Sequence, residues 1–192
     1  MHILDFFRRA FGATIPEPPK PTPKSAKKPS THKQVDKPYP HTNKKTGNVS
    51  SKTIKPTHVV LHHSSGSYVG GLAWICDPSS RVSYHCLIAR DGRRNVFALP
   101  NQRCWHAGVS QWQGKKDLNS YSIGVAWEGD TYATPLSQDA IDSAAEYLLP
   151  ILEDYHIPLS NIIRHADVAP GRKDDCSPAA HSALLAALNR RI

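Results

Sequence analysis

A chain of 192 residues with 39% hydrophobic content has room for one core of ordinary size and some excess. Its formal net charge of +8 looks like a nucleic-acid signal until it is divided along the chain. Residues 1–57 carry 12 Lys and Arg against 3 Asp and Glu, a balance of +9, whereas residues 58–192 carry 12 against 13, a balance of −1. The basicity is local, which argues against a nucleic-acid-binding fold in the larger part.

In chain order, MHILDFFRRAFG places Ile3, Phe6, Phe7 and Phe11 near one side of a short helix, with Arg8 and Arg9 beside them. The segment is too short and too charged to span a membrane, and no small-residue cleavage site follows an apolar core of signal-peptide length. Contact with a membrane or partner is one reading of this face, and a frayed terminus on a linker is the other. The Lys/Pro-rich stretch that follows has almost nothing apolar to bury, and residues 1–57 hold nine of the sixteen prolines. Such composition cannot offset its ordering entropy, so a disordered basic N-terminal tail is expected over 1–54 and a folded domain over 55–192. The tail's lysines stand between prolines without interleaved aromatics. No specific nucleic-acid partner is expected, and an anionic envelope or membrane is the partner its charge suits. Four cysteines (Cys76, Cys86, Cys104, Cys176) without a secretion signal predict reduced thiols in a chain made in the cytoplasm, and a monomer is expected.

THVVLHH (57–63) reads as a short strand, and VGGLAWICD (69–77) as a short helix closed by Asp77-Pro78. VSYHCLIARDGRRNVFALP (82–100) reads as two strands joined through Asp91-Gly92, a turn pair favoured in hairpins. YSIGVAWEG (121–129) is nearly continuous in apolar residues, which places it centrally in a sheet. Residues 135–157 form a helix with Ser137 as N-cap and Ile141, Ala145, Leu148, Leu149 and Leu152 at helical spacing; Pro150 is expected to kink or split it. NIIRHAD (161–167) is a strand running into a loop, and SPAAHSALLAALNRRI (177–192) is a closing helix with basic residues at its negative end. The fold class is therefore α/β, a central mixed β-sheet packed by helices.

The polar residues raise a metal question. A catalytic zinc usually takes three protein ligands from His, Cys and carboxylate. Adjacent strand residues point to opposite faces, so His62 and His63 cannot both reach one ion. His165 ends a second strand, and Asp174, Asp175 and Cys176 follow as candidates. Spacing leaves that choice open.

Five segments in one order carry more: VVLHHS (59–64), VSYHCLIARDG (82–92), WHAGVSQWQG (105–114), NSYSIGV (119–125) and RHADVAPGRKDD (164–175). Over roughly residues 57–188 the chain resembles the zinc-dependent N-acetylmuramoyl-L-alanine amidases, a group that includes cytosolic anhydro-muropeptide amidases, amidase-type phage lysozymes and peptidoglycan recognition proteins. The resemblance implies one zinc held by His62, His165 and Asp175, the last two residues after a catalytic Lys173. Some members use cysteine as third ligand, and Cys176 is adjacent, but the Lys-x-Asp spacing favours Asp175. Members of the cytosolic type carry a glutamate where this chain has Ala126, and Glu128 lies one residue pair further along the same face. The phage-lysozyme type lacks that glutamate and uses a tyrosine, which maps to Tyr84. His106, Trp105 and Trp112 are the implied substrate contacts.

The activity implied is hydrolysis of the amide between the lactyl group of N-acetylmuramic acid and L-alanine in peptidoglycan or muropeptides. The alternatives are a cytosolic recycling amidase and a non-catalytic peptidoglycan-binding module. The absent export signal and the Lys/Pro tail favour a lytic, endolysin-like enzyme that reaches the periplasm after release or delivery.

Overall fold

The structure, a computed structural model, describes residues 39–192. The amphipathic segment and the Lys/Pro-rich stretch up to residue 38 lie outside the described residues.

Two strands buried at every position, β3 (His58–His63) and β9 (Ser122–Trp127), pair in parallel at the centre of the molecule. Around them β1 (His41–Thr42), β4 (Cys86–Ile88), β5 (Arg94–Val96) and β10 (Ile162–Arg164) complete a six-stranded sheet of order β1-β5-β4-β9-β3-β10. β10 and β9 flank β3 in parallel, β4 is parallel to β9, and β4 and β5 form an antiparallel hairpin through Asp91-Gly92. The sheet is mixed, as expected, and YSIGVAWEG is central because both of its faces are covered.

Strand alternation divides the side chains between two layers. Val59 and Leu61 of β3, with Ile123, Val125 and Trp127 of β9, join one core with helices α2 (Gln138–Tyr155) and α4 (Pro178–Asn189). On the other face, Ala126 and Leu87 pack beneath α1 (Tyr68–Cys76), and Val60 packs with Ala107, Leu118 and Val168. Each long helix starts on a serine whose hydroxyl accepts a backbone N–H of the first turn: Ser137 from Ala140 and Ser177 from Ala180. Pro150 neither splits nor ends α2. It lies on the exposed side, where a carbonyl deprived of its helical partner is open to water. The stretch after β10 is a helical turn, α3 (His165–Val168), rather than a plain loop.

The expected domain boundary at residue 55 is corrected. Tyr39 is 7% exposed, its hydroxyl donates to Asp139 at 3.1 Å, and its ring lies against Gly92, where an added Cβ would sit 2.4 Å away. β1 adds to the sheet edge beside β5, and Asn95 receives Thr42 Oγ1 at 2.6 Å and the Lys44 amide at 2.9 Å. Strand β2 (Val49–Thr53) pairs antiparallel with β6 (Gln102–Cys104). This segment is tied down by hydrogen bonds and one aromatic ring, not by an apolar run, so composition alone hid it. Deleting residues 1–54 is expected to cost about 3 kcal/mol or more, through the buried Tyr39 ring and the lost ladder bonds. A thermal melt showing an unchanged Tm would contradict this.

Candidate metal centre

The register of three parallel strands assembles the site. β10 lies beside β3 with Arg164 opposite Leu61, so His165, one residue on, arrives beside His62. Alternation turns His62 to the α1 side and His63 to the other, where His63 Nδ1 meets Thr131 Oγ1 at 3.0 Å. The two adjacent histidines thus do separate jobs, as strand geometry predicts. Asp175 comes from the loop after α3, pinned by its own carbonyl accepting from the Ala166 amide at 2.6 Å.

His62 Nδ1, His165 Nδ1 and the Asp175 carboxylate converge. The two nitrogens are 3.0 Å apart, His62 Nδ1 is 3.0 Å from Asp175 Oδ2, and His165 Nδ1 is 3.0 Å from Asp175 Oδ1. All three residues are buried, and among the described residues they form a group able to hold a metal ion. Backbone carbonyls decide which nitrogens carry protons. His165 Nε2 is 3.1 Å from the Ala107 carbonyl, which only accepts, so Nε2 carries a proton and Nδ1 is the nitrogen turned toward Asp175. His62 Nε2 is 3.1 Å from His106 Nδ1, and His106 Nε2 faces the Ser122 carbonyl at 3.4 Å. His106 therefore donates from Nε2 and accepts at Nδ1, which leaves His62 protonated at Nε2 with a bare Nδ1.

Burial, reinforced by His165, lowers the His62 pKa to about 4 and keeps that ring neutral. Burial pushes the Asp175 carboxyl up, but the histidines bonded to it outweigh burial and hold it well below the carboxylate range. Nδ1 of each histidine and the Asp175 carboxylate thus face one point. Tetrahedral zinc with ligands at about 2.0–2.1 Å sets them roughly 3.3 Å apart, close to the separations found. The residues fit such an ion.

Cys176 does not join this group. Its side chain lies in the core under α2 and α4, and burial first, then the Asp175 charge, pushes its thiol up to about 12. Ala126 is the register partner of His62 on β9, so a longer side chain there would stand beside the site. Tyr84 packs against the cluster that contains Ala126, with its ring 5.1 Å from that of His62. Burial, then the Asp175 charge, raises its phenol, which stays protonated and able to donate. Glu128 is engaged elsewhere: its two oxygens accept the Tyr68 amide at 2.9 Å and the Arg90 amide at 3.0 Å, tying the start of α1 to the sheet. Those bonds hold the start of α1 against the sheet, and Glu128 does not line the cleft that opens over the triad.

A cleft of about 460 Å³ opens over the triad, lined among others by Tyr84, Trp105, His106 and the exposed Lys173. Trp105 is held by Arg103, whose guanidinium stacks 3.9 Å from its ring centre and bonds Asp117 at 2.7 Å. His106 is only 7% exposed and has Nδ1 committed to His62, so little of the ring remains for substrate. Trp112 is not in this cleft: it packs against the Val60–Leu118–Val168 cluster and lines a neighbouring hollow with Val109 and Arg172, on which Trp105 also borders. Trp74, 56% exposed on α1, lines the metal cleft and was not singled out from sequence. The signal available was Gly70-Gly71 one turn earlier. At Gly71 a Cβ would stand 2.8 Å from Leu87, so glycine lets α1 lie close on the sheet and brings Trp74 to the rim.

The family model described as N-acetylmuramoyl-L-alanine amidase matches residues 52–178. The 1,6-anhydro-N-acetylmuramyl-L-alanine amidase AmpD of Escherichia coli (strain K12) is 42% identical over 100 residues, which cover 52% of this chain and 54% of that protein. The N-acetylmuramoyl-L-alanine amidase AmiD of the same strain is 33% identical over 135 residues, 62% of this chain and 48% of that protein. The match thus spans about half the length of either relative. The solved complex of E. coli AmiD with anhydro-N-acetylmuramic acid-L-Ala-D-gamma-Glu-L-Lys superposes with a TM-score of 0.63 at 26% identity, covering 86% of this chain and 64% of that one. With a family match over most of the described domain, and a His/His/Asp group gathered from two parallel strand ends and a loop, the chain belongs to the N-acetylmuramoyl-L-alanine amidase family.

Proposed function

We propose that this chain is a zinc-dependent hydrolase of the amide bond between the lactyl carbonyl of N-acetylmuramic acid and L-alanine. The observation that carries the reading is the convergence of two histidine Nδ1 atoms and one carboxylate, all buried, at the floor of an open cleft. His62, His165 and Asp175 would hold the ion. When bound, zinc supplies Lewis-acid polarisation of a carbonyl and brings the pKa of a coordinated water down to about 7. The protein's own groups do the rest. Trp105 and Trp74 offer flat faces on which sugar and peptide stem are held and shielded from water. Tyr84 donates its hydroxyl proton toward the carbonyl oxygen as charge builds there, and the Lys173 ammonium supports the same charge. Water adds to the carbonyl carbon, the carbon–nitrogen bond breaks, and both water protons end on the alanine nitrogen. The products are a muramic acid carboxylate and a peptide ammonium.

The test is metal content set against hydrolysis of a soluble anhydro-muropeptide. Stripped protein is expected to be inactive and to regain activity with one equivalent of zinc. Active protein holding less than about a tenth of an equivalent of metal would overturn the reading.

The N-terminal charge favours the lytic role, in which the enzyme reaches cell-wall peptidoglycan after release or delivery. Each basic residue near an anionic surface adds on the order of 1 kcal/mol. Deleting residues 1–38 is expected to leave cleavage of the soluble muropeptide unchanged. Cleavage on envelope-bearing cells should fall, with the largest difference at low salt, where the attraction is least screened. Equal activity of both forms on cells at every salt concentration would favour the recycling role.

A further inference from the structure

Both ligand histidines are oriented from one place. His62 Nε2 lies 3.1 Å from the side chain of His106, and His165 Nε2 lies 3.1 Å from the carbonyl of Ala107, the next residue. One side chain grips the backbone of that pair: Asn119 Oδ1 accepts the His106 amide at 3.0 Å and the Ala107 amide at 2.8 Å. Two backbone donors on one oxygen leave no doubt which end of the Asn119 amide faces them. Further out, the Ser122 hydroxyl donates to the Leu118 carbonyl at 2.6 Å, so toward His106 Nε2 it can only accept. The Ser122 carbonyl and hydroxyl oxygens thus both draw the proton to His106 Nε2. His106 also has nowhere else to go, since it lies on Gly124 of β9, where a Cβ would stand 2.5 Å from its Cγ.

We infer that the His106–Ala107 dipeptide, clamped by Asn119, is the positioning element that holds both ligand histidines in the Nε2–H form with Nδ1 aimed at the metal point. This rests on the zinc reading above. His106 and Asn119 touch neither metal nor substrate through the atoms named, and they act through His62 and His165. Without the acceptor on His106, the His62 Nε2–H is buried with no partner, and the ring loses both its preferred tautomer and its angle. Without the Asn119 oxygen, two buried amides are orphaned and the Ala107 carbonyl is no longer fixed against His165. Outer partners of this kind set metal affinity by about 10–100-fold.

The test uses pairs of substitutions alike in size that differ only in the acceptor. His106→Asn keeps an oxygen where Nδ1 stands, and His106→Leu replaces it with a methyl group. Asn119→Asp keeps both acceptor bonds, and Asn119→Leu removes them. Zinc affinity of the full chain is measured by competition with a chromophoric chelator, alongside the Tm of the metal-free protein. The expected result is zinc binding weakened about 10–100-fold in each leucine variant relative to its polar counterpart, with each counterpart within a few-fold of wild type. Equal zinc affinity within the His106 pair would overturn the inference, and the Asn119 pair decides it in the same way if His106→Leu does not fold. A wild-type chain that binds no zinc would instead overturn the metal reading itself and this inference with it.

Discussion

Replacing Asp175 by alanine is expected to abolish zinc retention and hydrolysis, whereas replacing Cys176 by serine should abolish neither. Asp175 is the anionic member of the triad, with its oxygens 3.0 Å from the two histidine nitrogens, and its loss would leave two imidazoles to hold a dication. Zinc affinity should fall by more than the roughly 100-fold typical of an outer partner, and activity should fall with it. Cys176 faces the opposite way, into the core with Leu184 and Ile141. A serine there buries a hydroxyl among apolar groups, at about 1–3 kcal/mol, so its signature is a Tm lower by several degrees with zinc content unchanged. Zinc lost in Cys176→Ser and kept in Asp175→Ala would mean that the loop rearranges to present the thiol.

Tyr84→Phe and Lys173→Ala are each expected to lower kcat by about 10²–10³ while leaving zinc bound. Tyr84→Phe keeps the ring that packs over Ala126 and removes only the hydroxyl, so folding and metal content should not change. Lys173 is exposed at the cleft and bonds the Ala169 carbonyl through its backbone alone, so its side chain can be truncated without disturbing the loop. Both side chains are asked for transition-state charge stabilisation, which appears in kcat and kcat/KM together and not in KM alone. Nearly full rate in Tyr84→Phe would remove the tyrosine from the chemistry. Ala126→Glu is an informative companion. The position is fully buried beside His62, so a carboxylate there must displace Tyr84 or turn toward the metal point, and in either case zinc affinity changes.

Sequence carried the parts of this molecule that depend on local pattern. Alternation in β3 separated His62 from His63, the continuous apolar run of β9 marked a central strand, and Ser137 and Ser177 lie where the helices begin. The convergence of His62 with His165 needed parallel register between β3 and β10, strands about a hundred residues apart, which only the resemblance could suggest. Three features were out of reach for physical reasons. The segment 39–54 folds by side-chain hydrogen bonds to Asn95, Asp139 and Glu146, so its Lys/Pro composition pointed the other way. The Ala107 carbonyl is a main-chain acceptor, and no residue type announces it. Trp112 lies in the same short motif as Trp105 and His106, yet the two-residue strands β7 (Gln111–Trp112) and β8 (Lys115–Lys116) carry it into a neighbouring hollow.

The bond cleaved is read directly from the products. Zinc-loaded protein is incubated with intact murein sacculi and, separately, with a soluble anhydro-muropeptide, and the products are identified by mass spectrometry against a chelator-treated control. Stem peptides with a free amino group on L-alanine, together with muramic acid residues bearing a free lactyl carboxylate, are expected in the zinc-loaded sample alone. Intact stems still joined to muramic acid, with cuts only within the peptide or between sugars, would contradict the proposed reaction.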